Sequence, residues 1–334
     1  MERVGEHIVP KVSVIMPSYN TATLIAEALD SVFAQDYSDF EVIVINDGSP
    51  DTPELERVLE PYRERIVYLK QENRRACGAR NNGINHARGE YVAFLDTDDS
   101  WMPTYLRTQM GHLQKNPSLD MIYCDCLIYG GGAQSGKTFM QTCPSQRPVN
   151  FESLLLEKCQ VPISGTIVRR QSLIAAGGFD ERLAMCDDYE MWLRLAHRRS
   201  RMAYHPGVLA RLRIGRPNSL SASDARMLGA LLTILSNVRV DWDLSAEQEA
   251  LLLKKLEQTQ ALLALERGKE FLKQGKFDDA RTMLEQANVQ LRRGKLKVAL
   301  IGLRIAPSLT ALIVRFWEQF RCVVPARRFG TAAH

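Results

Sequence analysis

The sequence predicts an α/β fold with a mostly parallel sheet between layers of helices, followed by an all-helical C-terminal region. Apolar runs without polar alternation recur in the first part of the chain, as at residues 12–16 and 91–95. Such runs are typical of strands buried on both faces, as in parallel sheets. From about Ala225 onward only helical periodicity is found. We therefore predict one domain over residues 1–224 and a helical region over residues 225–334.

The first part of the chain alternates strands with helices. Strands are predicted at residues 12–16, 40–45, 66–69, 91–95, 121–129 and 163–169. Helices are predicted at residues 24–33, 76–88, 171–176 and 188–197. Ligands of parallel sheets bind beyond the carboxyl ends of the strands, so polar residues at those ends are candidates for a site. Three strand ends carry such residues: Pro17-Ser18-Tyr19-Asn20, Asn46-Asp47-Gly48-Ser49 and Asp96-Thr97-Asp98.

Asp96 and Asp98 stand one residue apart at the end of a buried strand. Alternation along an extended chain puts both carboxylates on the same side, where they can hold a divalent metal that binds a diphosphate. The alternative is that Asp98, with the two residues after it, caps the next helix. A cap leaves Asp96 unexplained, so we favour a metal site.

Composition and charge indicate an ordinary globular protein with a basic end. The chain has 334 residues, of which 45% are hydrophobic and 25% charged. Residues 291–334 contain nine Lys or Arg and one acidic residue, Glu318, a net charge of +8. Because the total is +4, residues 1–290 carry −4. The basic character therefore belongs to the C-terminal segment.

Cysteine usage and the absence of long apolar segments predict a cytoplasmic protein. Seven scattered cysteines include no Cys-x-x-Cys pair, which indicates structural thiols in a reducing compartment. No signal peptide is recognised at the N-terminus. The uncharged stretch at residues 305–314 is too short to span a bilayer, which takes about 20 residues. Attachment to the cytoplasmic face of a membrane is kept as an alternative.

The sequence contains one nucleotide-binding pattern and lacks another. Residues 131–138 match the phosphate-binding pattern G-x-x-x-x-G-K-T letter for letter. That pattern needs a helix beginning at its Lys-Thr, whereas Pro144 and Pro148 follow closely without helical periodicity. We predict a glycine-rich turn between two antiparallel strands and keep an ATPase as an alternative. Since no glycine lies between Gly5 and Gly48, a dinucleotide fingerprint is excluded at the first strand–helix turn.

Six segments in order resemble the family-2 glycosyltransferases of the GT-A fold, over roughly residues 10–220. The segments begin at Val12-Ser-Val-Ile-Met-Pro-Ser-Tyr-Asn20, Glu41-Val-Ile-Val-Ile-Asn-Asp-Gly-Ser49, Ala79-Arg-Asn-Asn-Gly83, Tyr91-Val-Ala-Phe-Leu-Asp-Thr-Asp-Asp-Ser-Trp101, Gly177-Gly-Phe-Asp180 and Asp187-Asp-Tyr-Glu-Met-Trp-Leu-Arg194. The resemblance implies a non-processive bacterial enzyme of hexosyltransferase type, acting in polysaccharide or glycolipid assembly. It favours a UDP-sugar as donor.

The resemblance also implies roles for the donor-site residues. The nucleoside would be bound by Pro17, Tyr19, Asn20 and Asp47, the last accepting a hydrogen bond from the base. Asp96 would lie near the ribose, and Asp98 would hold Mn²⁺ or Mg²⁺ on the diphosphate. Arg80 would help to neutralise that diphosphate, or else form a structural ion pair.

The general base implied by the resemblance is Asp188. It would take the proton of the acceptor hydroxyl as that oxygen attacks the anomeric carbon, which inverts the configuration. The family usually has Glu-Asp here, whereas this chain has Asp187-Asp188, and Asp187 is the second choice. Both could instead stabilise a helix N-terminus.

Two positions depart from the family pattern. The family often has glycine where this chain has Arg75, which would add a cation near the donor or be solvated. The Gln-x-x-Arg-Trp signature of processive synthases is absent, and residues 213–221 resemble the loop of non-processive members.

The helical region combines a hairpin with a basic amphipathic tail. Residues 261–287 resemble one tetratricopeptide-type hairpin, which needs neighbours to bury its faces. An apolar segment follows at residues 296–305, with Lys295 just before it and Lys297 and Arg304 within it. Apolar residues then recur at helical spacing among Arg residues: Leu309, Leu312, Ile313, Phe316 and Phe320. This tail could hold the enzyme to an anionic membrane with a lipid-linked acceptor, pack internally, or form a homodimer contact.

The favoured function is therefore metal-dependent, inverting transfer of a sugar from a nucleotide-diphosphate sugar to a hydroxyl of a glycan or lipid-linked acceptor. The first alternative is an inactive GT-A scaffold that binds partners through its helices. The second is the ATPase. No nucleic-acid partner is expected, because the basic residues cluster with apolar tail helices and not with an aromatic stacking face.

Overall fold

The computed structural model describes residues 9–143, 145–215, 224–309 and 312. Contacts divide the chain into two compact units, with the division between Ile214 and Gly215.

The first unit is built on an eight-stranded sheet. Its strands in chain order are β1 (Val12–Ser18), β2 (Phe40–Asp47), β3 (Val67–Gln71), β4 (Tyr91–Phe94), β5 (Ser100–Trp101), β6 (Met121–Gly130), β7 (Thr166–Arg169) and β8 (Met202–Ile214). Across the sheet they lie in the order β3-β2-β1-β4-β7-β6-β8-β5. The first four are parallel, β6 is parallel to β8, and the remaining pairs are antiparallel. The predicted α/β class is confirmed.

Helices flank this sheet. They are α1 (Ile25–Phe33), α2 (Thr52–Leu59), α3 (Arg75–His86), α4 (Tyr105–Lys115), α5 (Phe139–Thr142), α6 (Phe151–Leu155), α7 (Arg170–Ala176) and α8 (Asp187–His197). Each of the four helices predicted in this part is found, within two residues at either end. The prediction did not include α2, α4, α5 or α6, nor the strands β5 and β8.

Strands β1, β2 and β4 are largely apolar and buried, because helices cover both faces of this part of the sheet. Val12, Val14 and Ile15 of β1 have no exposed surface. Gly83 of α3 lies directly on the sheet, where a Cβ atom would come within 2.6 Å of the Ile15 Cγ2 atom. A helix-interior glycine costs about 1 kcal/mol relative to alanine, and here it permits the close approach of helix and sheet.

The residues after Asp98 do not cap a helix, so that alternative is wrong. Ser100 and Trp101 form β5, which pairs with β8 through Arg211 and Ala210. Helix α4 begins only at Tyr105. The acidic residues at the end of β4 therefore need another explanation.

The glycine-rich segment 131–138 folds back onto β6. The Gly136 amide donates to the Ile128 carbonyl at 2.8 Å, and the Ile128 amide donates to the Lys137 carbonyl at 2.9 Å. Thr138 makes an isolated antiparallel bridge with Leu127 and caps α5, which has four residues. The predicted turn is present, with a bridge and a short helix in place of a second strand.

The second unit is helical. Its helices are α9 (Asp224–Asp241), α10 (Ala246–Lys273), α11 (Phe277–Leu291) and α12 (Gly294–Ile305). Gly268 of α10 lies against α11, where a Cβ atom would come within 2.7 Å of the Leu284 side chain. Apolar residues of α10, α11 and α12 form one core. The predicted tail residues 313–320 lie outside the described residues, as does Pro144.

Within the described ranges, no helix is both long and apolar enough to cross a membrane. The six cysteines of these ranges are free thiols, and five of them are buried.

Candidate active site

The three polar strand ends lie next to one another at one edge of the sheet. The Asn20 amide, just after β1, donates to the Ser49 hydroxyl at 2.6 Å. Thr97, just after β4, donates through its hydroxyl to Thr21 at 2.8 Å. Because β1 lies between β2 and β4, these hydrogen bonds join the ends of all three parallel strands.

Asp47 ends β2 as a buried carboxylate, with 2% of its surface exposed. Its Oδ1 atom accepts from the Gln71 side chain at 2.7 Å and from the Arg74 amide at 2.8 Å. Burial raises the pKa of Asp47, although these hydrogen bonds oppose the shift. Gly48 adopts φ +64°, and a Cβ atom there would come within 2.8 Å of the Asn73 amide nitrogen. The turn thus requires glycine at this point.

The residues predicted to line the nucleoside site with Asp47 lie around the end of β1. Pro17 is half-buried, whereas Tyr19 is 51% exposed and Asn20 is exposed. Asn20 adopts φ +55°, a left-handed conformation that asparagine tolerates better than most residues. The exposed Tyr19 ring is therefore available to a ligand.

Arg75, where the family often has glycine, also adopts a left-handed conformation with φ +62°. This conformation explains why the family often has glycine at this position, because a residue with a side chain there costs roughly 1–2 kcal/mol. Arg75 is exposed at the start of α3, directly after the amide that binds Asp47.

Arg80 is the centre of the charged cluster. Its guanidinium donates to Asp187 Oδ2 at 2.5 Å and to Asp96 Oδ1 at 2.9 Å. Only 6% of the Arg80 side chain is exposed. Burial on its own would lower the pKa of Arg80, but the Asp187 and Asp96 carboxylates outweigh it and raise that pKa. The arginine therefore joins the end of β4 to the start of α8.

Asp96 and Asp98 make this cluster strongly acidic. Partial burial raises the pKa of Asp96, Arg80 opposes the shift, and the neighbouring Asp98 and Asp187 carboxylates add to it. Four carboxylates, those of Asp96, Asp98, Asp187 and Asp188, thus interact around one arginine. The cluster has an excess of negative charge that a cation would offset.

Asp187 and Asp188 begin helix α8, directly after Cys186 in a left-handed conformation. Burial and the adjacent Asp187 carboxylate raise the pKa of Asp188 to about 6, against the effect of Arg80. The two aspartates differ in their contacts. Asp187 is bound by Arg80, whereas Asp188 accepts from the Tyr189 amide at 2.8 Å.

The Gly177-Gly178 turn is fastened to α3 by Asn81. The Asn81 side chain accepts from the Phe179 amide at 2.7 Å and donates to the Phe179 carbonyl at 2.9 Å. The Phe179 ring then packs edge-on against Phe94 of β4, with ring centroids 5.5 Å apart. The motifs at residues 79–83 and 177–180 therefore form one structural unit beneath the charged cluster.

We expect Gly178→Ala to destabilise the protein by about 1–3 kcal/mol. Gly178 has φ +73°, and its Cβ atom would come within 2.6 Å of the Asn81 Oδ1 atom. The control is Gly111→Ala in α4, where a Cβ atom has no neighbour within 4 Å and the change should stabilise slightly. Urea denaturation measures both, and an equal effect of the two substitutions would contradict the explanation.

Four residues around the cluster were not predicted to belong to the site: Asp99, Ser164, Arg213 and Tyr129. Ser164 donates to Asp99 at 2.6 Å and accepts from the Asp96 amide at 3.1 Å. The Asp98 carbonyl accepts from Arg213 Nε at 3.1 Å and from the Tyr129 hydroxyl at 3.2 Å. Asp99 and Arg213 stood in quoted segments, but Ser164 and Tyr129 carry no local signal because their partners are distant in sequence. Residues 216–221 of the predicted loop lie outside the described residues.

The donor set suits a hard divalent cation. Among the described residues, no group of three or more His, Cys, Asp or Glu is arranged to hold a metal ion. Magnesium commonly binds one or two carboxylates together with water and substrate phosphates. Asp96 and Asp98 offer carboxylate oxygens of this kind, so the chemistry fits a cation that shares its ligands with a diphosphate.

Comparison with known proteins shows the class to which this arrangement belongs. The model of glycosyl transferase family 2 matches residues 13–164. The chain is 32% identical over 185 residues to the UDP-Glc:alpha-D-GlcNAc-diphosphoundecaprenol beta-1,3-glucosyltransferase WfgD of Escherichia coli. The match covers 55% of this chain and 69% of that protein. The chain therefore belongs to glycosyl transferase family 2, which confirms the resemblance found in the sequence.

Other relatives are longer. An uncharacterized glycosyltransferase of Rickettsia felis is 34% identical over 197 residues, which is 56% of this chain and 31% of that protein. The chain thus matches about a third of the length of this relative.

Solved structures show the same GT-A fold. TarS 1-349 of S. aureus in complex with UDP-GlcNAc has a TM-score of 0.59 at 20% identity, covering 93% of this chain and 92% of that one. The mannosyltransferase PcManGT from Pyrobaculum calidifontis, in complex with GDP-Man and Mn²⁺, has a TM-score of 0.56 at 20% identity, covering 93% and 88%. At this level of identity the likeness concerns the fold.

Proposed function

We propose that the protein transfers a sugar from a nucleotide-diphosphate sugar to an acceptor hydroxyl, with inversion at the anomeric carbon. The observation that carries the proposal is the cluster at the carboxyl end of β4, where Arg80 holds Asp96 and Asp187 together. Asp188, with its pKa raised to about 6, stands beside them. Membership in glycosyl transferase family 2 supports the same reaction. We assign this activity to residues 1–224.

In this proposal Asp47, Pro17, Tyr19 and Asn20 bind the nucleoside. Asp47 is buried and fixed by Gln71 and the Arg74 amide, so its second oxygen can accept from a base N–H without reorganisation. The preferred donor is a UDP-sugar. The E. coli relative is named for a UDP-Glc donor, and TarS is solved in complex with UDP-GlcNAc, which supports this preference.

Asp98 and Asp96 would hold Mn²⁺ or Mg²⁺ against the diphosphate. When bound, the cation would supply positive charge that offsets the charge developing on the leaving nucleoside diphosphate. Arg80 is committed to Asp96 and Asp187, so its proposed role is to hold these carboxylates in position. The Asp98 backbone is held in turn by Arg213 and Tyr129.

Asp188 is the proposed general base. Its pKa of about 6 leaves it mainly ionised at neutral pH and still basic enough to take the acceptor proton. Asp187 is less suited because its carboxylate is bound by Arg80. The proton moves from the acceptor hydroxyl to Asp188 while that oxygen bonds to the anomeric carbon and the nucleoside diphosphate leaves.

The acceptor in this proposal is a hydroxyl of a glycan or of a lipid-linked saccharide. The E. coli relative is named for a diphosphoundecaprenol-linked acceptor, which supports the lipid-linked class. The reaction would then take place on the cytoplasmic side of the membrane.

The proposal is tested by thermal denaturation of the protein with UDP, GDP, dTDP, CMP or ATP, each with and without Mn²⁺. A ligand at 100 times its Kd stabilises the folded state by about 2.7 kcal/mol, which raises the Tm measurably. A metal-dependent rise with one nucleoside diphosphate is expected. A rise with ATP only would favour the ATPase, and no rise with any ligand would favour the inactive scaffold.

We expect Asp98→Asn to abolish the metal-dependent part of donor binding. The neutral amide removes a carboxylate oxygen and one negative charge from the proposed cation site. Calorimetric titration of UDP with and without Mn²⁺ measures the effect, with Asp180→Asn as a control outside the charged cluster. Unchanged Mn²⁺-dependent binding by the Asp98 variant would contradict the metal assignment.

A further inference from the structure

Helix α12 is apolar on two opposite faces. Leu296, Leu300 and Leu303 are buried in the core that it shares with α10 and α11. On the other side, Val298, Ile301 and Ile305 follow one another at helical spacing and are 70%, 59% and 79% exposed. The first face explains why the helix packs on α11. The second face, which we call the α12 stripe, has no such explanation.

Two further aliphatic residues beyond the end of the helix are also exposed. Leu309 is 56% exposed and Leu312 is 63% exposed. Single exposed aliphatic residues are ordinary, but three at successive positions of one helix face form an apolar row that indicates an interaction site.

Basic residues border the α12 stripe. Helical geometry places Lys295 on one side and Lys297 on the other, and both are exposed. Arg292 and Arg293, just before the helix, are also exposed, and residues 291–309 contain no acidic residue. Arg304 is partly neutralised by Glu285 of α11, at 2.9 Å. An apolar strip between cations suits a surface that is anionic at its boundary and apolar beneath.

We propose that the α12 stripe binds the surface of an anionic lipid bilayer. The aliphatic side chains enter the boundary between headgroups and acyl chains, while Lys295 and Lys297 reach the anionic headgroups. A second copy of the chain fits less well, because it would bring together two basic surfaces, neither of which has an acidic residue within residues 291–309. The lipid surface offers the opposite charge.

This proposal is independent of the transfer reaction, since the surface lies on α12 and uses none of the residues of the charged cluster. It has a consequence if both hold. Binding along α12 would keep the enzyme at the membrane, where a lipid-linked acceptor is found.

The test is flotation of the full chain with vesicles of phosphatidylcholine, or of phosphatidylcholine and phosphatidylglycerol in equal parts. We expect recovery with the anionic vesicles and loss of recovery at about 1 M salt, where the Debye length falls to about 3 Å. Lys295→Ala combined with Lys297→Ala should weaken binding about 30-fold, at about 1 kcal/mol per cation.

The apolar part is tested by Ile301→Ser combined with Ile305→Ser, which should weaken binding about tenfold or more. The matched control is Val240→Ser combined with Val289→Ser, since these valines are 81% and 74% exposed on α9 and α11. Circular dichroism shows whether each variant keeps its helices.

Several results would overturn the proposal. One is failure of the wild-type chain to float with anionic vesicles. If removal of residues 313–334 then restores flotation, those residues and not a bilayer would cover the α12 stripe. Another is a dimer in solution that Ile301→Ser combined with Ile305→Ser dissociates. Equal weakening by the control variant would also refute it. No donor or acceptor is present, so none of these results bears on the proposed transfer.

Discussion

Asp188→Asn should abolish sugar transfer, retain donor binding and at the same time make the protein more stable. Loss of a general base lowers the rate by about 10²–10⁴-fold. The donor contacts proposed at Asp47 and Asp98 do not involve this side chain, so the Kd for the donor should change little. Nucleoside diphosphate release and calorimetric titration measure the two quantities.

The gain in stability follows from the pKa. Burial and Asp187 raise the pKa of Asp188 from 3.8 to about 6, so its ionised form is disfavoured in the folded state. The resulting penalty is absent below about pH 4 and complete above about pH 6. Asparagine removes it, which should stabilise the protein by up to about 3 kcal/mol at pH 7 and have little effect at pH 4.

Asp180→Asn is the matched control. The Arg182 hydrogen bonds lower the pKa of Asp180, so its ionised form is favoured in the folded state and its replacement should destabilise the protein at pH 7. The wild-type transfer rate should also fall about tenfold for each pH unit below about 6, as Asp188 takes up a proton. Full turnover by the Asp188 variant would remove this residue from the mechanism.

The parallel half of the sheet could be predicted because each of its strands leaves a local signal. A strand covered on both faces must be apolar throughout, and its end must turn into solvent with polar residues. This is why residues 12–16 and 91–95 could be read directly. The polar residues that follow these strands could be identified as site candidates for the same reason.

Two strands of the other half, β5 and β8, could not be predicted in the same way. β8 contains Pro206 and Gly207, which break any apolar run, and its register with β6 shifts at this point. β5 has two residues and is held in the sheet by its pairing with β8. Neither strand is specified by its own sequence, since both depend on a neighbour already in place.

The candidate site could also be predicted only in part, because it depends on residues that are distant in sequence. Asp96, Asp187 and Arg80 stand in three separate motifs, and the sequence left Arg80 open between a ligand contact and an ion pair. Only the packing of α3 beneath β4 and α8 brings the arginine between the two carboxylates. Ser164 could not be assigned because its partners, Asp96 and Asp99, are more than 60 residues away.

Arg80→Met should destabilise the protein by about 3–5 kcal/mol at pH 7, the usual result of removing one partner from a buried ion pair. Methionine fills much of the space but leaves the Asp96 and Asp187 carboxylates without their cation. Urea denaturation gives the free energy of unfolding. The control is Arg74→Met, because Arg74 forms an ion pair with Glu181 that is half exposed, and its loss should cost less than about 1 kcal/mol.

The pH dependence separates charge from packing. Arg80 lowers the pKa values of Asp96 and Asp188, so part of its stabilising effect requires ionised carboxylates. As the pH falls below about 6, Asp188 takes up a proton, and the difference between wild type and Arg80→Met should shrink. Arg80→Met combined with Asp187→Asn should recover part of the loss at pH 7, since one unpaired charge is removed. A deficit that is the same at pH 5 and pH 7, with no recovery in the double variant, would mean that Arg80 acts by packing and not as the cation that organises the cluster.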